Sequence, residues 1–131
     1  MTDSRGARTA AVLGASPKAG RYSNMAVRRL KDAGYPVIPV NPAYEAVEGL
    51  KAVSTVCDAA EKAGGEGLET LTLYLAPYHL EPLTDDILKA RPRRVIFNPG
   101  TESSFLQAAL DEAGIPWMEA CTLVLLSSGQ Y

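Results

Sequence analysis

Short apolar segments alternate along this chain with segments of helical periodicity, and this alternation constrains the fold more than any other feature. The first apolar segment, Thr9–Leu13, ends at Gly14, as is typical of a buried parallel strand. Apolar residues then recur at the spacing of one helix face until Gly34, at Ala26, Val27, Leu30 and Ala33. Repeated along the chain, the pattern predicts an α/β protein whose parallel sheet is covered by helices on both faces.

Five strands are predicted in this way, over residues 9–13, 36–40, 71–76, 94–97 and 115–119. Helices are predicted between them, around residues 23–33, 56–63, 80–88 and 103–113. Two of the helix ends are similar, since Leu30–Pro36 and Leu110–Pro116 each pass through Ala-Gly to a proline that opens a strand. Two similar halves predict a Rossmann-like three-layer fold with a five-stranded parallel sheet of order 3-2-1-4-5.

The second predicted strand contains a proline. Pro39 lacks an amide hydrogen, so this strand is expected where one side is unpaired or where pairing has ended. The following stretch, residues 41–67, is interrupted by Pro42 and Gly49, and only Val56–Ala63 has a helical pattern.

Length and charge exclude several classes of protein. The 131 residues suit one domain over 1–131. The formal net charge of −2 predicts no basic surface for a nucleic acid or an anionic membrane. The apolar segments are far shorter than the ~20 residues that cross a bilayer, and Met1–Arg8 does not resemble a secretory signal, which predicts a cytoplasmic protein. Cys57 and Cys121 lack the spacing of a metal site or a disulfide scaffold, so free thiols are expected.

The loops that follow parallel strands share one edge of the sheet, which we call the rim. Ligands bind there near the switch point of the strand order, which in the predicted order lies between the first and fourth strands. The rim loops are Gly14–Gly20, Asn41–Pro42, Ala76–His79 and Asn98–Glu102. The sequence therefore predicts a ligand site at the rim.

The first rim loop has the composition of a phosphate-binding turn. Gly14 permits a tight turn, small residues let backbone amides approach a phosphate, and Lys18 and Arg21 add positive charge. The usual nucleotide fingerprints do not fit, since Ser16 replaces the second glycine of GxGxxG and Arg21 stands where a Walker A loop has Lys. A Gly/Pro-rich surface turn that binds nothing is the alternative. Asn41 stands where an NAD-binding domain normally has Asp or Glu, which weakens NAD without excluding other adenine nucleotides.

Four segments carry a resemblance to a known family, namely Gly14–Arg21, Gly34–Pro42, Ala76–Pro77 and Asn98–Glu102. Together they resemble the CoA-binding domain family, whose members are single-domain relatives of the nucleotide-binding domain of succinyl-CoA synthetase alpha subunits. The resemblance covers nearly the whole chain, and its most specific part is Val-Ile-Pro-Val-Asn-Pro at residues 37–42. In the family, that block also accommodates Pro39.

The resemblance implies that the chain binds coenzyme A or an acyl-CoA at the rim. The residues implied to hold the phosphates are Ser16, Pro17, Lys18, Ala19 and Gly20, with Arg21 as a further contact, and Gly14 and Ala15 belong to the same cofactor-binding loop. The implied contacts to the rest of the nucleotide are Asn41, Pro42, Tyr44, Ala76 and Pro77, with His79 at the edge of the pocket and Gly100, Thr101 and Glu102 closing the far side. Backbone amides and a few cations suit the diphosphate and 3′-phosphate of CoA.

The second domain of the synthetase, with its phosphohistidine segment, has no counterpart in this sequence, so the resemblance implies a non-catalytic accessory or regulatory module. His79, the sole histidine, has no orienting acid or nucleophile in its pattern, and no catalytic or metal-binding residue is predicted. Cys121 follows the fifth strand and either faces the rim, within reach of a CoA thiol or thioester, or is a buried small apolar side chain.

Some alternatives stay open. The apolar run Thr122–Leu126 is either a last buried segment or a surface for a second copy or another protein partner. An NAD(P)- or other nucleotide-dependent enzyme or subunit is the second hypothesis for the function. A structural partner protein that has lost ligand binding is the third.

Overall fold

The computed structural model describes residues 8–131, so most of the segment Met1–Arg8, on which the secretory-signal prediction rests, lies outside the described residues. The strands are β1 Ala10–Leu13, β2 Val37–Val40, β3 Ala46–Val47, β4 Leu50–Lys51, β5 Thr70–Leu73, β6 Arg94–Phe97 and β7 Trp117–Glu119. The helices are α1 Tyr22–Asp32, α2 Val56–Ala63, α3 Pro77–Leu80, α4 Thr84–Ala90, α5 Ser104–Ala113 and α6 Thr122–Ser127, with 3-10 turns over Gly64–Glu66 and Glu81–Leu83.

The five longer strands form one parallel sheet of order β2-β1-β5-β6-β7. Ala11 and Leu13 of β1 face a core that includes α2, α4 and α5, whereas Ala10 and Val12 face a smaller core with α1 and α6. Because all four residues of β1 are buried, the strand reads as continuously apolar. The predicted α/β class and the five-stranded, three-layer parallel architecture are confirmed.

The order of the strands corrects one prediction. The predicted order 3-2-1-4-5 places the third long strand outside the second, but β5 pairs with β1 on the side away from β2. Counted over the long strands, the order is therefore 2-1-3-4-5, the other common doubly wound order, and its switch point lies between the first and third strands. The reason is burial, since Thr70–Leu73 is buried throughout and fills the centre of the sheet.

On the side of β2 that faces away from β1, Val40 and Val53 form a single parallel bridge. The amide of Val53 donates to the carbonyl of Pro39, and the carbonyl of Val53 accepts from Asn41. Pro39 therefore faces the edge of the sheet, where its missing amide hydrogen costs one bond at most. The expectation that this strand has an incompletely paired side is confirmed.

The two similar helix ends form the same backbone motif. The amide of Tyr35 donates to Leu30, and that of Ile115 donates to Leu110, around glycines with positive φ. Each motif leads into an edge strand, β2 or β7. The repeat thus marks the two edges of the sheet.

Several local predictions differ from the structure. The stretch after β2 contains a small hairpin of β3 and β4, whose turn residues Glu48 and Gly49 both have positive φ. Ser23, the first residue of the helix predicted around 23–33, lies inside α1, whose N-cap is Arg21. The final apolar run forms α6, whose Thr122 is buried and whose Val124 is exposed.

Candidate functional site

The first rim loop begins at a residue that only glycine fits. Gly14 has a φ of +88°, and a Cβ added there would lie 2.9 Å from Leu75 Cδ2 and 2.9 Å from the carbonyl oxygen of Tyr74. The loop after β1 therefore passes directly against the chain that leaves β5. This contact is at the switch point, where a parallel sheet opens a crevice for ligands.

The loop is held in shape by Asn24, a fully buried residue of α1. Its Nδ2 donates to the carbonyl of Ser16 and to Glu48 Oε2, both at 2.9 Å, and its Oδ1 accepts from Arg28 Nε at 2.8 Å. The Ser16 hydroxyl accepts from the backbone amide of Lys18 at 3.1 Å. Sequence reasoning missed Asn24, whose signal was a polar side chain on the buried face of a helix.

The first turn of α1 is suited to an anion. The N-cap Arg21 makes no capping side-chain bond, and the turn contains no acidic residue. The first backbone N–H groups of the helix therefore lack side-chain acceptors there, and the helix dipole favours negative charge at this position. Lys18 and Arg21 are exposed beside it, and within residues 8–131 neither side chain forms an ion pair.

Asn41 ties the end of β2 to the first loop. Its Nδ2 donates to the carbonyl of Ala15 at 2.9 Å, and its Oδ1 accepts from the amide of Ala43 at 2.9 Å. The side chain is half-buried, whereas Pro42 and Tyr44 are exposed. We call this arrangement the Asn41 corner.

A cleft of about 440 Å³, the rim cleft, opens beside the Asn41 corner. It is lined by Leu13, Gly14, Val40, Asn41, Pro42, Ser54, Thr55, Val56, Leu75, His79, Leu83 and Asp86. Seven of the twelve lining residues are nonpolar, and the polar ones are Asn41, Ser54, Thr55, His79 and Asp86. Such a cleft suits a flat, partly polar group such as a nucleobase.

The acidic group of the rim cleft is already bonded. Asp86 accepts from the backbone amides of Val56 at 2.7 Å and Cys57 at 3.1 Å, at the start of α2. The Cys57 thiol donates to the Asp86 carbonyl at 3.4 Å, and burial, followed by the neighbouring Asp86, raises the pKa of Cys57 to about 11. Asp86 therefore supplies the negative charge that the N-terminus of α2 favours. Sequence reasoning missed Asp86 because its bonding partners are distant along the chain.

A second Asn-Pro pair ends β6. Asn98 Nδ2 donates to the Thr72 hydroxyl at 2.6 Å and to the Leu73 carbonyl at 2.9 Å, and its Oδ1 accepts from the amide of Thr122 at 2.8 Å. Asn98 is only 2% exposed. We call this arrangement the Asn98 corner, and it joins β5, β6 and α6.

The residues after the Asn98 corner bond mainly within their own loop. The buried Thr101 hydroxyl donates to the Asn98 carbonyl at 2.8 Å, and Glu102 Oε1 accepts from the amide of Gly100 at 2.9 Å. Their polar atoms are thus engaged in shaping the loop.

A second pocket of about 250 Å³, the distal pocket, lies at the rim beside the Asn98 corner. It is lined by Tyr22, Tyr74, Asn98, Pro99, Cys121 and Leu123. Cys121 is half-buried at its wall, so it is not the fully buried side chain of one alternative. Tyr74 has a buried hydroxyl with no hydrogen-bond partner within residues 8–131, and burial raises its pKa to about 12.

The predicted site residues fall into separate groups. Gly14, Asn41, Pro42 and His79 come together at the rim cleft, and Cys121 lies in the distal pocket. Ala15 and Ser16 are buried in the first loop, whose remaining residues, from Pro17 to Arg21, are exposed. Ala76 and Pro77 are half-buried at the start of α3. His79 stacks on Tyr78, with ring centroids 4.2 Å apart.

Metal ligation and membrane insertion each require features of their own. Within residues 8–131, no three His, Cys, Asp or Glu side chains are grouped as metal ligands would be. None of the helices in that range has the length and apolar character that crossing a membrane requires.

Comparison with known proteins identifies the family. A family model described as a CoA binding domain matches residues 8–127, which is most of the chain. This chain belongs to the CoA binding domain family. The resemblance found in the sequence is thereby confirmed.

Three individual proteins show different degrees of similarity to this CoA binding domain. A crystal structure described only as an uncharacterized protein is 38% identical, with a TM-score of 0.84, and the match covers 95% of this chain and 98% of that one. The uncharacterized protein YneT of Bacillus subtilis (strain 168) is 46% identical over 46 residues, which is 35% of this chain and 34% of YneT. The dinucleotide-forming acetyl-coenzyme A synthetase 1 of Ca. Korarchaeum cryptofilum is 21% identical, with a TM-score of 0.69, and only 27% of its length is matched. This last likeness concerns the fold alone.

Proposed function

We propose that this chain binds CoA or an acyl-CoA at the rim and acts as a binding module without catalytic activity of its own. The observation that carries the proposal is the open first turn of α1, with Lys18 and Arg21, at the end of the loop that begins at Gly14 in the rim cleft. Membership of the CoA binding domain family supports the same ligand.

The donor set fits the phosphates of CoA. Their negative charge would be met by the amides of the first loop and of α1, and by the cations of Lys18 and Arg21. The fixed shape of the loop, which Asn24 maintains, means that little order has to be gained on binding. The adenine would lie in the rim cleft, between the Asn41 corner and the chain that leaves β5.

The same geometry disfavours NAD. A domain that binds NAD offers a carboxylate at the end of its second strand to hold the ribose hydroxyls. Here Asn41 holds that position, and both ends of its amide are bonded to the backbone. The carboxylate of Asp86 is likewise bonded to the start of α2.

The accessory role is supported by the surroundings of His79. Within residues 8–131 the His79 side chain makes no hydrogen bond to a carboxylate or to a nucleophile, and its neighbour is the ring of Tyr78. A general base normally needs such an orienting partner.

Isothermal titration with CoA, dephospho-CoA, NAD and ATP tests the proposal. We expect CoA to bind most tightly and dephospho-CoA more weakly, because it lacks one phosphate. A preference for NAD, or no binding of any of the four, would overturn the assignment.

The substitution Lys18→Ala tests the phosphate site. We expect it to weaken CoA binding by on the order of 1–3 kcal/mol, as for the loss of a charged hydrogen bond. Lys62→Ala, which removes the same charge from the last turn of α2, is the matched control and should leave the affinity unchanged. Equal effects of the two substitutions would remove Lys18 from the site.

A further inference from the structure

The distal pocket adjoins the proposed phosphate site. Tyr22, the first residue of α1, lines this pocket, and it directly follows Arg21 of the phosphate loop. The rim cleft reaches the same loop from the other direction, through Gly14. A ligand with its phosphates at the first turn of α1 therefore has a pocket on each side.

We propose that the distal pocket holds the acyl end of an acyl-CoA whose nucleotide lies in the rim cleft. This inference rests on the proposed function and names the class of ligand, namely CoA thioesters of short, uncharged acyl groups. The distances, the lining and the charges of the pocket support it in turn.

The length of the ligand matches the width of the sheet. The neighbours β1, β5, β6 and β7 are spaced ~4.8 Å apart, so the end of β1 lies roughly 14 Å from the end of β7. The pantetheine arm has about twelve bonds between its phosphate and its sulfur, equal to about four residues of extended chain, or roughly 14 Å. The arm is thus long enough to carry a thioester from the first loop to the ends of β5 and β6, where Tyr74 and Asn98 line the distal pocket.

The lining of the pocket selects the type of acyl group. Tyr22, Tyr74, Pro99 and Leu123 offer apolar surface, and the polar atoms of Asn98 are all bonded to the protein. Among the described residues, no cation lines the pocket. A short aliphatic acyl group can be buried there, whereas a carboxylate-bearing one would lose hydration with only the buried Tyr74 hydroxyl as an unpaired polar group nearby.

Titration of the wild-type chain with CoA, acetyl-CoA, butyryl-CoA and succinyl-CoA tests this inference. Each methylene buried should tighten binding by up to about fourfold, so butyryl-CoA should exceed acetyl-CoA by roughly tenfold. Succinyl-CoA should bind no more tightly than CoA. If CoA binds but butyryl-CoA has the same affinity, or succinyl-CoA equals butyryl-CoA, the inference is wrong and the proposed function stands. If none of the four binds, both are wrong.

Two neighbouring positions of α6 provide a matched pair of variants. Leu123→Trp fills the distal pocket, whereas Val124→Trp adds the same ring at a position that is 58% exposed. We expect Leu123→Trp to keep the affinity for CoA and to lose the advantage of butyryl-CoA, and Val124→Trp to keep both. Cys121→Leu, which narrows the pocket from the end of β7, serves if Leu123→Trp does not fold. A narrowed pocket that retained the butyryl advantage would contradict the inference.

Discussion

The Asn41 and Asn98 corners contain the same Asn-Pro dipeptide, yet they have different structural roles. Each Asn-Pro pair ends a strand and ties it to a neighbouring segment of the rim. Asn98 is buried and bonds to Thr72, Leu73 and Thr122, so it joins three elements. Asn41 is half-buried and bonds only to the backbone of two loop residues. Both asparagines line a pocket, so burial and the number of partners, and not the motif, determine how many elements of the fold each one joins.

The largest expected effect is that of Asn98→Ala. The substitution leaves the Leu73 carbonyl and the Thr122 amide buried without their partner, so we expect a loss of about 2–4 kcal/mol in the free energy of unfolding. Urea denaturation followed by circular dichroism measures it. A loss below about 0.5 kcal/mol would mean that the Asn98 corner is not structural.

Asn41→Ala should cost less, about 1 kcal/mol in the free energy of unfolding, because Asn41 is only half-buried and the Ala43 amide that it leaves belongs to an exposed residue. Its main effect should be on CoA binding, since the first loop loses its tie to the end of β2. The same denaturation and CoA titration, run side by side with Asn98→Ala, give both quantities. Equal destabilisation by the two substitutions would contradict the expectation that Asn98 stabilises the fold more than Asn41 does.

Alkaline pH should act on the Asn98 side of the molecule through Tyr74. Burial raises the pKa of Tyr74 from 10.0 to about 12, so the folded chain holds this proton while the unfolded chain releases it. The stabilisation is present below pH 10 and is lost as the pH rises through about 12. Tyr74→Phe should remove that part of the pH dependence of unfolding, and an unchanged slope above pH 10 would contradict the prediction.

The last prediction compares the chemical reactivity of the two cysteine thiols, Cys57 and Cys121. Because the pKa of Cys57 is raised to about 11, its reactive thiolate is scarce at neutral pH. At pH 8 we expect iodoacetamide to label Cys121, at the wall of the distal pocket, at least about tenfold faster than Cys57. Peptide mass spectrometry over time measures both rates, with Cys57→Ser and Cys121→Ser as single-thiol controls. Faster labelling of Cys57 would reverse the comparison.

Much of the fold was predictable because local signals agree with the tertiary structure. The Thr9–Leu13 run and the Gly34 and Gly114 helix stops mark elements whose burial and capping are set by adjacent residues. The helix predicted around residues 103–113 begins where expected, and Ser103 caps it as α5 by accepting from the amide of Leu106. The family followed from four segments, above all from Val-Ile-Pro-Val-Asn-Pro at residues 37–42, which comprises β2 and the two residues after it.

The order of the strands could not be predicted in the same way. The place of β5 beside β1 depends on which strand is buried on all sides, and that is a property of the assembled sheet. The hairpin of β3 and β4 was missed because two-residue strands carry too little periodicity. Asn24 and Asp86 were missed because their partners come from other elements.

The sequence alone determined the α/β class, the position of the rim and the composition of its first loop, because these depend on periodicity and on single residues such as Gly14. Only the tertiary structure decided which rim residues share a pocket. It brought Gly14, Asn41 and His79 to one cleft and placed Cys121 in another. The physical reason is that successive strands lie several ångströms apart in an order that long-range packing selects, so neighbours at the rim are not neighbours along the chain.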